Sequence, residues 1–372
     1  LIGFSIGVLS LISLGRENNA QIISLNTHTD ILSEGRSKIY FMKIAIVKLS
    51  ALGDIIHAMV ALQFIKQEYP DCQIDWVVEE GFKGILENNP DINIIHTVNL
   101  KKVKQQKSLK LLFQELKKLR KLPKYDIVVD TQGLIKSAIV SRVIPSDKTF
   151  GFDKNSLRES FAAKFYTDTC SIDYSENIIK RNTFVISSAL DFAISHTSIL
   201  GKKLFLYFNS KSVFIPTEGY KPNVAFVPGA SFKSKIYPVE KYIKLANELD
   251  ANIIILWGNE EEKLMAEQIQ VNTSNVSISS KLTLDELKSV ITQMDLVIGG
   301  DTGPTHMAWA LNVPSITLFG STPGYRNTYT TAINRVIESG SPVDPCKIDK
   351  NDLSIEFIEV SKIVKMAKEL LK

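Results

Sequence analysis

The sequence predicts an α/β fold in which two doubly wound domains face each other across a cleft. From Met42 onward, short apolar runs alternate with helical stretches, a pattern typical of βαβ units and parallel sheets. The regularity lapses around residues 200–222 and then resumes, and a length of 372 residues suits about two domains. We therefore predict an N-terminal domain over residues 42–210 and a C-terminal domain over residues 211–372.

In the N-terminal domain, strands are expected where apolar residues cluster between turn residues. The predicted strands span residues 43–49, 73–79, 92–98 and 125–132. One helix follows the first strand as far as about Glu68, and another precedes the fourth strand. In that second helix the spacing predicts one apolar face, opposite a basic face, formed by Leu109, Leu112, Phe113, Leu116 and Leu119.

The C-terminal domain repeats this order of strand and helix. Its predicted strands span residues 223–229, 252–258, 295–303 and 315–320, and its predicted helices span residues 239–249, 260–268, 284–293 and 355–371. In open parallel sheets, ligands bind at the carboxyl ends of the strands. We therefore expect the functional site where the strand ends of the two domains meet.

The first 41 residues do not fit this pattern. They contain no methionine, and their apolar opening run of about 14 residues is shorter than the roughly 18–20 residues that cross a bilayer. We interpret residues 1–41 as an upstream translated extension outside the fold, with a membrane anchor as the alternative.

Composition and charge narrow the functional classes. Residues 101–124 carry ten Lys or Arg side chains against the single acid Glu115, which predicts an anionic partner, either a phosphorylated substrate or an acidic membrane surface. A solvated helix face is the ordinary alternative. The three cysteines have no paired spacing for zinc or disulfides, so a reduced, cytoplasmic compartment fits best.

Two glycine-containing turns in the C-terminal domain are candidate phosphate sites. Residues 297–306 read VIGGDTGPTH, so a strand ends in glycines and a helix begins near Pro304. Backbone N–H groups at a helix N-terminus bind anions, although a plain strand–helix turn would explain the same pattern. Residues 227–238 place Ser231 and Lys235 after another strand, where a lysine suits a diphosphate and a solvated basic loop is the alternative.

Two carboxylates also follow strands. Asp54 lies at the junction between the first strand and its helix, where it would be ionised and able to accept a proton. Its local sequence favours a simple helix cap. Glu260 follows the strand that ends near Trp257, and it suits either a sugar or ribose hydroxyl or the first turn of a helix. No G-x-G-x-x-G or P-loop motif is present, and no histidine cluster offers a metal site, so we predict neither metal nor cofactor.

Taken together, these segments resemble the lipopolysaccharide heptosyltransferases of glycosyltransferase family 9. The resemblance runs from Met42 to the C-terminus and rests on the MKIAIVKLSALGDIIHA, YDIVVDTQGLIKSA, PGAS, WGNEEE and GGDTGPTHMAWAL segments. The QGLIKSA part favours the type I enzymes over type II. The resemblance implies a GT-B fold with two Rossmann-like domains. It also implies inverting, metal-independent transfer of L-glycero-D-manno-heptose from ADP-heptose to Kdo of Kdo-lipid A.

The resemblance also implies roles for individual residues. Asp54 matches the catalytic base, and Lys235 matches the lysine that stabilises the departing ADP. The residues that match donor contacts are Ser231, Glu260, Leu282, Asp301, Thr302, Gly303 and His306. The residues that match or lie near acceptor contacts are Arg158, Lys101, Lys102, Lys104 and Gln132. Ala230 departs from the family, where a threonine is common.

A cytoplasmic enzyme, peripheral on the inner face of the inner membrane, is the expected setting. Three alternatives stay open from the sequence. The chain could be a type II heptosyltransferase, another GT-B transferase with a different acceptor, or a non-catalytic protein that binds a nucleotide sugar.

Overall fold

A computed structural model describes residues 41–209 and 220–372, and these residues contain two six-stranded parallel sheets. The strands of the first sheet are β1 (Lys43–Val47), β2 (Gln73–Glu79), β3 (Ile94–Val98), β4 (Tyr125–Asp130), β5 (Ser146–Phe152) and β6 (Asp168–Cys170). They lie in the order β3-β2-β1-β4-β5-β6, and every pairing is parallel.

The second sheet repeats this topology. Its strands are β7 (Asn223–Val227), β8 (Asn252–Ile255), β9 (Val276–Ile278), β10 (Leu296–Gly300), β11 (Ser315–Phe319) and β12 (Asn334–Glu338). They lie in the order β12-β11-β10-β7-β8-β9 and are again all parallel. Counted within each sheet, both orders are 3-2-1-4-5-6, the doubly wound arrangement that places a ligand crevice beside the first strand.

Fourteen α-helices connect the strands in the described part of the chain. Those of the first half are α1 (Leu52–Met59), α2 (Ala61–Glu68), α3 (Lys83–Leu86), α4 (Leu100–Gln106), α5 (Leu109–Leu119), α6 (Ile135–Val143), α7 (Ile178–Ala189) and α8 (His196–Leu200). Those of the second half are α9 (Val239–Glu248), α10 (Glu260–Val271), α11 (Leu284–Ile291), α12 (Gly303–Ala310), α13 (Gly324–Asn327) and α14 (Val360–Leu370).

The central strands are mostly apolar because helices cover both faces of each sheet. Along β1, Ile44 and Ile46 pack into one buried cluster while Ala45 and Val47 pack into another, as alternating side chains of a strand must. The cluster that holds Ile44 continues through α1 and α12 into the second sheet. The two domains are therefore joined by apolar packing directly beneath the crevice.

Glycines allow α1 and α12 to approach closely at this junction. A Cβ added to Gly53 would collide with the ring of His306, and one added to Gly303 would collide with Leu52. The two helix N-termini consequently meet at the floor of the crevice.

The predicted α/β fold with two doubly wound sheets is confirmed. Strands β5, β6, β9 and β12 were not predicted, because they are short or partly polar and three of them lie at sheet edges. The predicted helix that ends near Glu68 is two helices, and the predicted C-terminal helix begins with a separate 3-10 turn over Ser354–Phe357. The predicted domain boundary and residues 1–40 of the predicted extension lie outside the described residues.

The predicted apolar face of α5 needs a correction. Leu119 is buried and Leu116 packs against the same cluster, but Leu109 and Phe113 are exposed to solvent. The five apolar side chains do lie on one face of the helix, but only the flank with Leu116 and Leu119 packs against the core. Within the described ranges, no helix is long and apolar enough to cross a membrane.

Candidate active site

A large cavity opens where the carboxyl ends of the two sheets face each other. Its volume is about 660 Å³, within the range of cavities that hold a nucleotide-sized ligand. The turn after β1 and the loops after β7, β8 and β10 all contribute to its walls. The predicted site residues that line it are Asp54, Ser231, Lys235, Leu282, Asp301, Thr302, Gly303 and His306.

Asp54 occupies the third position of α1. Its Oδ2 accepts a hydrogen bond from the backbone N–H of Ala51 at 3.2 Å, and the side chain is half-buried. The positive end of the helix stabilises the ionised carboxylate. The helix-cap and proton-acceptor interpretations of Asp54 are therefore compatible, because a cap of this kind keeps a second oxygen available to a ligand.

A smaller cavity of about 300 Å³ lies on the N-terminal side of the crevice. Asp54, Gln132 and Arg158 line it, as do the cationic side chains of Lys48, Arg181 and Arg326 and the ring of Tyr174. Asp54 lines both cavities, so its carboxylate stands at their common border.

Gln132 is held in place by the turn that follows β4. The buried carboxylate of Asp130 accepts hydrogen bonds from the backbone N–H groups of Gln132 and Gly133 and from the hydroxyl of Tyr166. The Oε1 of Gln132 in turn accepts the N–H of Leu49 at 2.7 Å and that of Ser50 at 3.3 Å. Gln132 therefore fixes the loop that carries Asp54 as well as lining the smaller cavity.

Two buried cations line the smaller cavity and were not predicted from the sequence. Lys48 Nζ donates to the carbonyl of Thr131 and to Asn182 Oδ1, and burial lowers its pKa. Burial and the neighbouring Arg326 lower the pKa of Arg181 to about 10. Lys48 could have been recognised as a site residue from the sequence, because it directly follows the apolar run of β1. Nothing in the sequence marked Arg181 in this way.

Asp301 organises the far wall of the large cavity. Its Oδ2 accepts hydrogen bonds from Lys235 Nζ at 2.6 Å, from Thr322 and from Asn327, and its Oδ1 accepts one from His306 at 2.9 Å. Burial alone would raise the pKa of Asp301, but the Lys235 ammonium and the His306 hydrogen bond hold it well below its usual range. Asp301 is consequently a buried anion that fixes a lysine and a histidine.

His306 also makes a hydrogen bond across the two domains. Its Nδ1 lies 3.0 Å from Nε2 of His57, which lies one turn beyond Asp54 on α1. His57 is 3% exposed, and its Nδ1 has no partner. The Asp301 carboxylate accepts a hydrogen bond from His306 Nε2. With one proton on each imidazole ring, Nδ1 of His306 accepts the hydrogen bond and Nε2 of His57 donates it. The unpartnered Nδ1 of His57 is then a lone pair, which is less costly to bury than an N–H.

Burial first, and then the proximity of His306, lower the pKa of His57 well below its usual value. The unfolded chain therefore takes up a proton at His57 as the pH falls below about 6.5, while the folded protein does not. In the wild type, we expect the free energy of unfolding to fall by about 1.4 kcal/mol per pH unit below that value. In His57→Gln, whose amide can replace the Nε2 donor, we expect this decrease to be absent. Chemical unfolding at pH 7.5 and 5.5 measures this, and His196→Gln, at an exposed histidine, is the matched control. Parallel pH dependence in wild type and His57→Gln would contradict a neutral, buried His57.

The other residues predicted to contact the donor differ in whether they line the cavity and in how exposed they are. Ser231 is exposed at the cavity rim, and the Thr302 hydroxyl is buried without a hydrogen-bond partner at the start of α12. Leu282 lies at an apolar end of the cavity with Leu284, Leu287, Phe82 and Trp257. Glu260 does not line the cavity.

Glu262, two residues further along α10, does line the cavity. Its carboxylate accepts from the backbone N–H of Gly258 at 2.7 Å and from Asn259 Nδ2 at 2.8 Å. A Cβ at position 229 would overlap this carboxyl group, so Gly229 is what allows Glu262 to approach the cavity.

Three predicted acceptor residues lie outside both cavities. Lys101, Lys102 and Lys104 belong to α4, and only Lys102 lines a recess, which it shares with α5. The backbone N–H of Lys101 donates to Glu79, at the end of β2, so this helix does reach the carboxyl edge of the sheet. Another cation, Lys136, donates to Oγ of Ser50 at 3.2 Å, and Ser50 lines the smaller cavity. The sequence did not single out Lys136 as a site residue.

Comparisons with known proteins show which family the chain belongs to. Residues 112–352 match the model of glycosyltransferase family 9 (heptosyltransferase). The chain is 40% identical to lipopolysaccharide heptosyltransferase 1 of Campylobacter coli, in an alignment that covers 88% of this chain and 99% of that one. It is 28% identical to lipopolysaccharide heptosyltransferase 1 of Escherichia coli K12, with 77% of this chain and 91% of the relative covered.

Solved structures show the same architecture. The E. coli heptosyltransferase WaaC with ADP superposes with a TM-score of 0.73 at 26% identity, covering 88% of this chain and all of the other. The same enzyme with ADP-2-deoxy-2-fluoro heptose gives a TM-score of 0.70 at 25% identity, covering 88% of this chain and 99% of the other. The GT-B fold implied by the resemblance is confirmed. On the evidence of its sequence, fold and site, the chain belongs to glycosyltransferase family 9, the heptosyltransferases.

Proposed function

We propose that the chain transfers L-glycero-D-manno-heptose from ADP-heptose to a Kdo residue of Kdo-lipid A in the synthesis of the lipopolysaccharide inner core. The observation that carries this proposal is the position of Asp54 on the border between a nucleotide-sized cavity and a smaller cationic one. Support also comes from the relatives named lipopolysaccharide heptosyltransferase 1 and from the E. coli structures with ADP and a fluorinated ADP-heptose.

The proposed reaction is a single inverting displacement. The acceptor hydroxyl oxygen attacks the anomeric carbon of heptose, the bond from that carbon to the diphosphate oxygen breaks, and ADP leaves with the electron pair. Asp54 takes the proton of the attacking hydroxyl. Lys235 stabilises the charge that develops on the diphosphate, because a fixed cation in a partly dry site acts strongly on a leaving group.

The donor occupies the large cavity in this proposal. Thr302 and Gly303 at the start of α12, together with Ser231, face the diphosphate, and Leu282 lies against the adenine. Asp301 and His306 were predicted to contact the donor directly. Because the carboxylate and both ring nitrogens are already engaged within the protein, we propose that they act mainly by positioning Lys235.

The acceptor occupies the smaller cavity. Arg158, Lys48 and Gln132 are the groups that would meet the carboxylate and hydroxyls of an acidic sugar, because their cations and amide line that space. Lys101, Lys102 and Lys104 are proposed to meet more distant anionic groups of the lipid. The setting we propose is the cytoplasmic face of the inner membrane.

The direct test is release of ADP from ADP-heptose with purified protein and Kdo-lipid A. Product formation that depends on both substrates is expected. Turnover only with an acceptor that already carries one heptose would assign the chain to the second transfer. Donor binding without turnover on any acceptor of a truncated series would indicate a non-catalytic protein.

We propose that Glu262 of α10, and not Glu260, contacts the ribose of the donor. We expect Glu262→Gln to raise the KM for ADP-heptose about tenfold, the effect of losing charged hydrogen bonds to hydroxyls, whereas Glu260→Gln leaves KM unchanged. Initial rates at saturating acceptor measure both variants, and each is the control for the other. The opposite result would return the ribose contact to Glu260, where the sequence placed it.

A further inference from the structure

Helix α5 carries two large apolar side chains that are mostly exposed to solvent. Leu109 is 72% exposed and Phe113 is 71% exposed, and they lie one turn apart on the same side of the helix. The adjoining flank of the helix is packed, since Leu119 is buried in the same cluster as Tyr125 and Val128 and Leu116 packs against it. The exposed pair is therefore a feature of a well-anchored helix.

Cations surround the exposed pair. Lys110 and Lys117 are exposed and lie three and four residues from Phe113, so they are its neighbours on the helix surface. The one acid of α5, Glu115, turns away and accepts the backbone N–H of Asn99. We call Leu109, Lys110, Phe113 and Lys117 the α5 face.

The α5 face begins at the edge of the sheet where the site lies. A helix that connects parallel strands runs antiparallel to them, so the N-terminus of α5, with Leu109, lies toward the carboxyl edge. The preceding helix α4 contacts that edge through Glu79, whose carboxylate also feels the charges of Lys101 and Lys136. Lys136 in turn donates to Ser50, four residues before Asp54.

We propose that the α5 face docks on an anionic lipid bilayer, with Leu109 and Phe113 inserted between headgroups and the lysines on lipid phosphates. This inference rests on the proposed function, because it presents the acceptor cavity to a lipid-borne sugar. Apolar side chains next to lysines suit the membrane interface, where the apolar groups enter the acyl-chain region and the lysines bind anionic headgroups. A protein partner is disfavoured, because the surface area of two side chains is far smaller than the roughly 800 Å² that each partner buries in a stable interface.

The first arm of the test is partition onto vesicles of equal parts phosphatidylethanolamine and phosphatidylglycerol. The double variant Leu109→Ser/Phe113→Ser is expected to bind at least about tenfold more weakly than wild type, because two apolar side chains no longer leave water. The matched control is Leu264→Ser/Val271→Ser on α10, where the side chains are 60% and 80% exposed on an acid-rich helix. Equal binding by both double variants would overturn the proposal.

The second arm compares two acceptors. With Kdo-lipid A embedded in those vesicles, Leu109→Ser/Phe113→Ser is expected to raise KM about tenfold, and with a deacylated, water-soluble Kdo acceptor its kcat/KM is expected to equal that of wild type. Equal loss on both acceptors would overturn the docking proposal by showing a defect in the site itself. Inactive wild type on both acceptors would instead reject the proposed function, and vesicle partition would still report on docking.

Discussion

Replacement of Asp54 by asparagine is expected to lower kcat at least about 100-fold while ADP-heptose still binds. The amide keeps the size of the side chain, but it cannot take the proton of the acceptor hydroxyl, and loss of a general base has an effect of this size. Steady-state rates at saturating substrates give kcat, and calorimetric titration with ADP-heptose gives the donor affinity.

The matched control for that substitution is Asp147→Asn. Asp147 belongs to β5 of the same sheet but pairs with Lys124 in an exposed ion pair, remote from the cavity-lining residues. An exposed pair contributes little to stability, so this variant should behave as wild type. Persistent turnover in Asp54→Asn would show that Asp54 only caps α1.

Replacement of Lys235 by methionine is expected to lower kcat about 100- to 1,000-fold, the scale of losing a fixed electrostatic contact to developing charge. The substitution also leaves the buried Asp301 carboxylate without its 2.6 Å partner, which should lower the free energy of unfolding by about 3–5 kcal/mol. Steady-state rates and chemical unfolding of the same preparation separate the two effects.

Two further variants sharpen the test of Lys235. Lys235→Met/Asp301→Asn removes the orphaned charge, so it should recover part of the stability without recovering kcat. Lys233→Met, in the same 3-10 turn but exposed and outside the cavity lining, should change neither quantity. Recovery of kcat in the double variant would show that Lys235 serves only to neutralise Asp301.

The parts of the site that could be predicted lie within a single short segment of sequence that follows a strand. Asp54, Lys235 and Asp301 each lie shortly after a strand, within or just before the helix or 3-10 turn that follows it. Local sequence and the topology of a parallel sheet were therefore enough to bring them to one edge. The assignment of roles needed the resemblance, because the same turns can serve as ordinary caps.

The parts that could not be predicted depend on distant segments. The hydrogen bond from His57 to His306 joins residues 249 positions apart, and Arg326 enters the smaller cavity from the opposite half of the chain. Glu262 rather than Glu260 reaches the large cavity because of the helix phase set by Asn259, which caps α10 by accepting the N–H of Glu262. Neither periodicity nor composition carries that information.

The common border of the two cavities at Asp54 also bears on inhibitor design. A nucleotide fragment in the large cavity and an acidic sugar fragment in the smaller one would approach the same carboxylate from either side. A short tether past Asp54 would turn the second binding event into an intramolecular one, with an effective concentration in the millimolar range or above. The linked molecule would be selective as well as tight, because a protein with only one of the two cavities could hold only half of it.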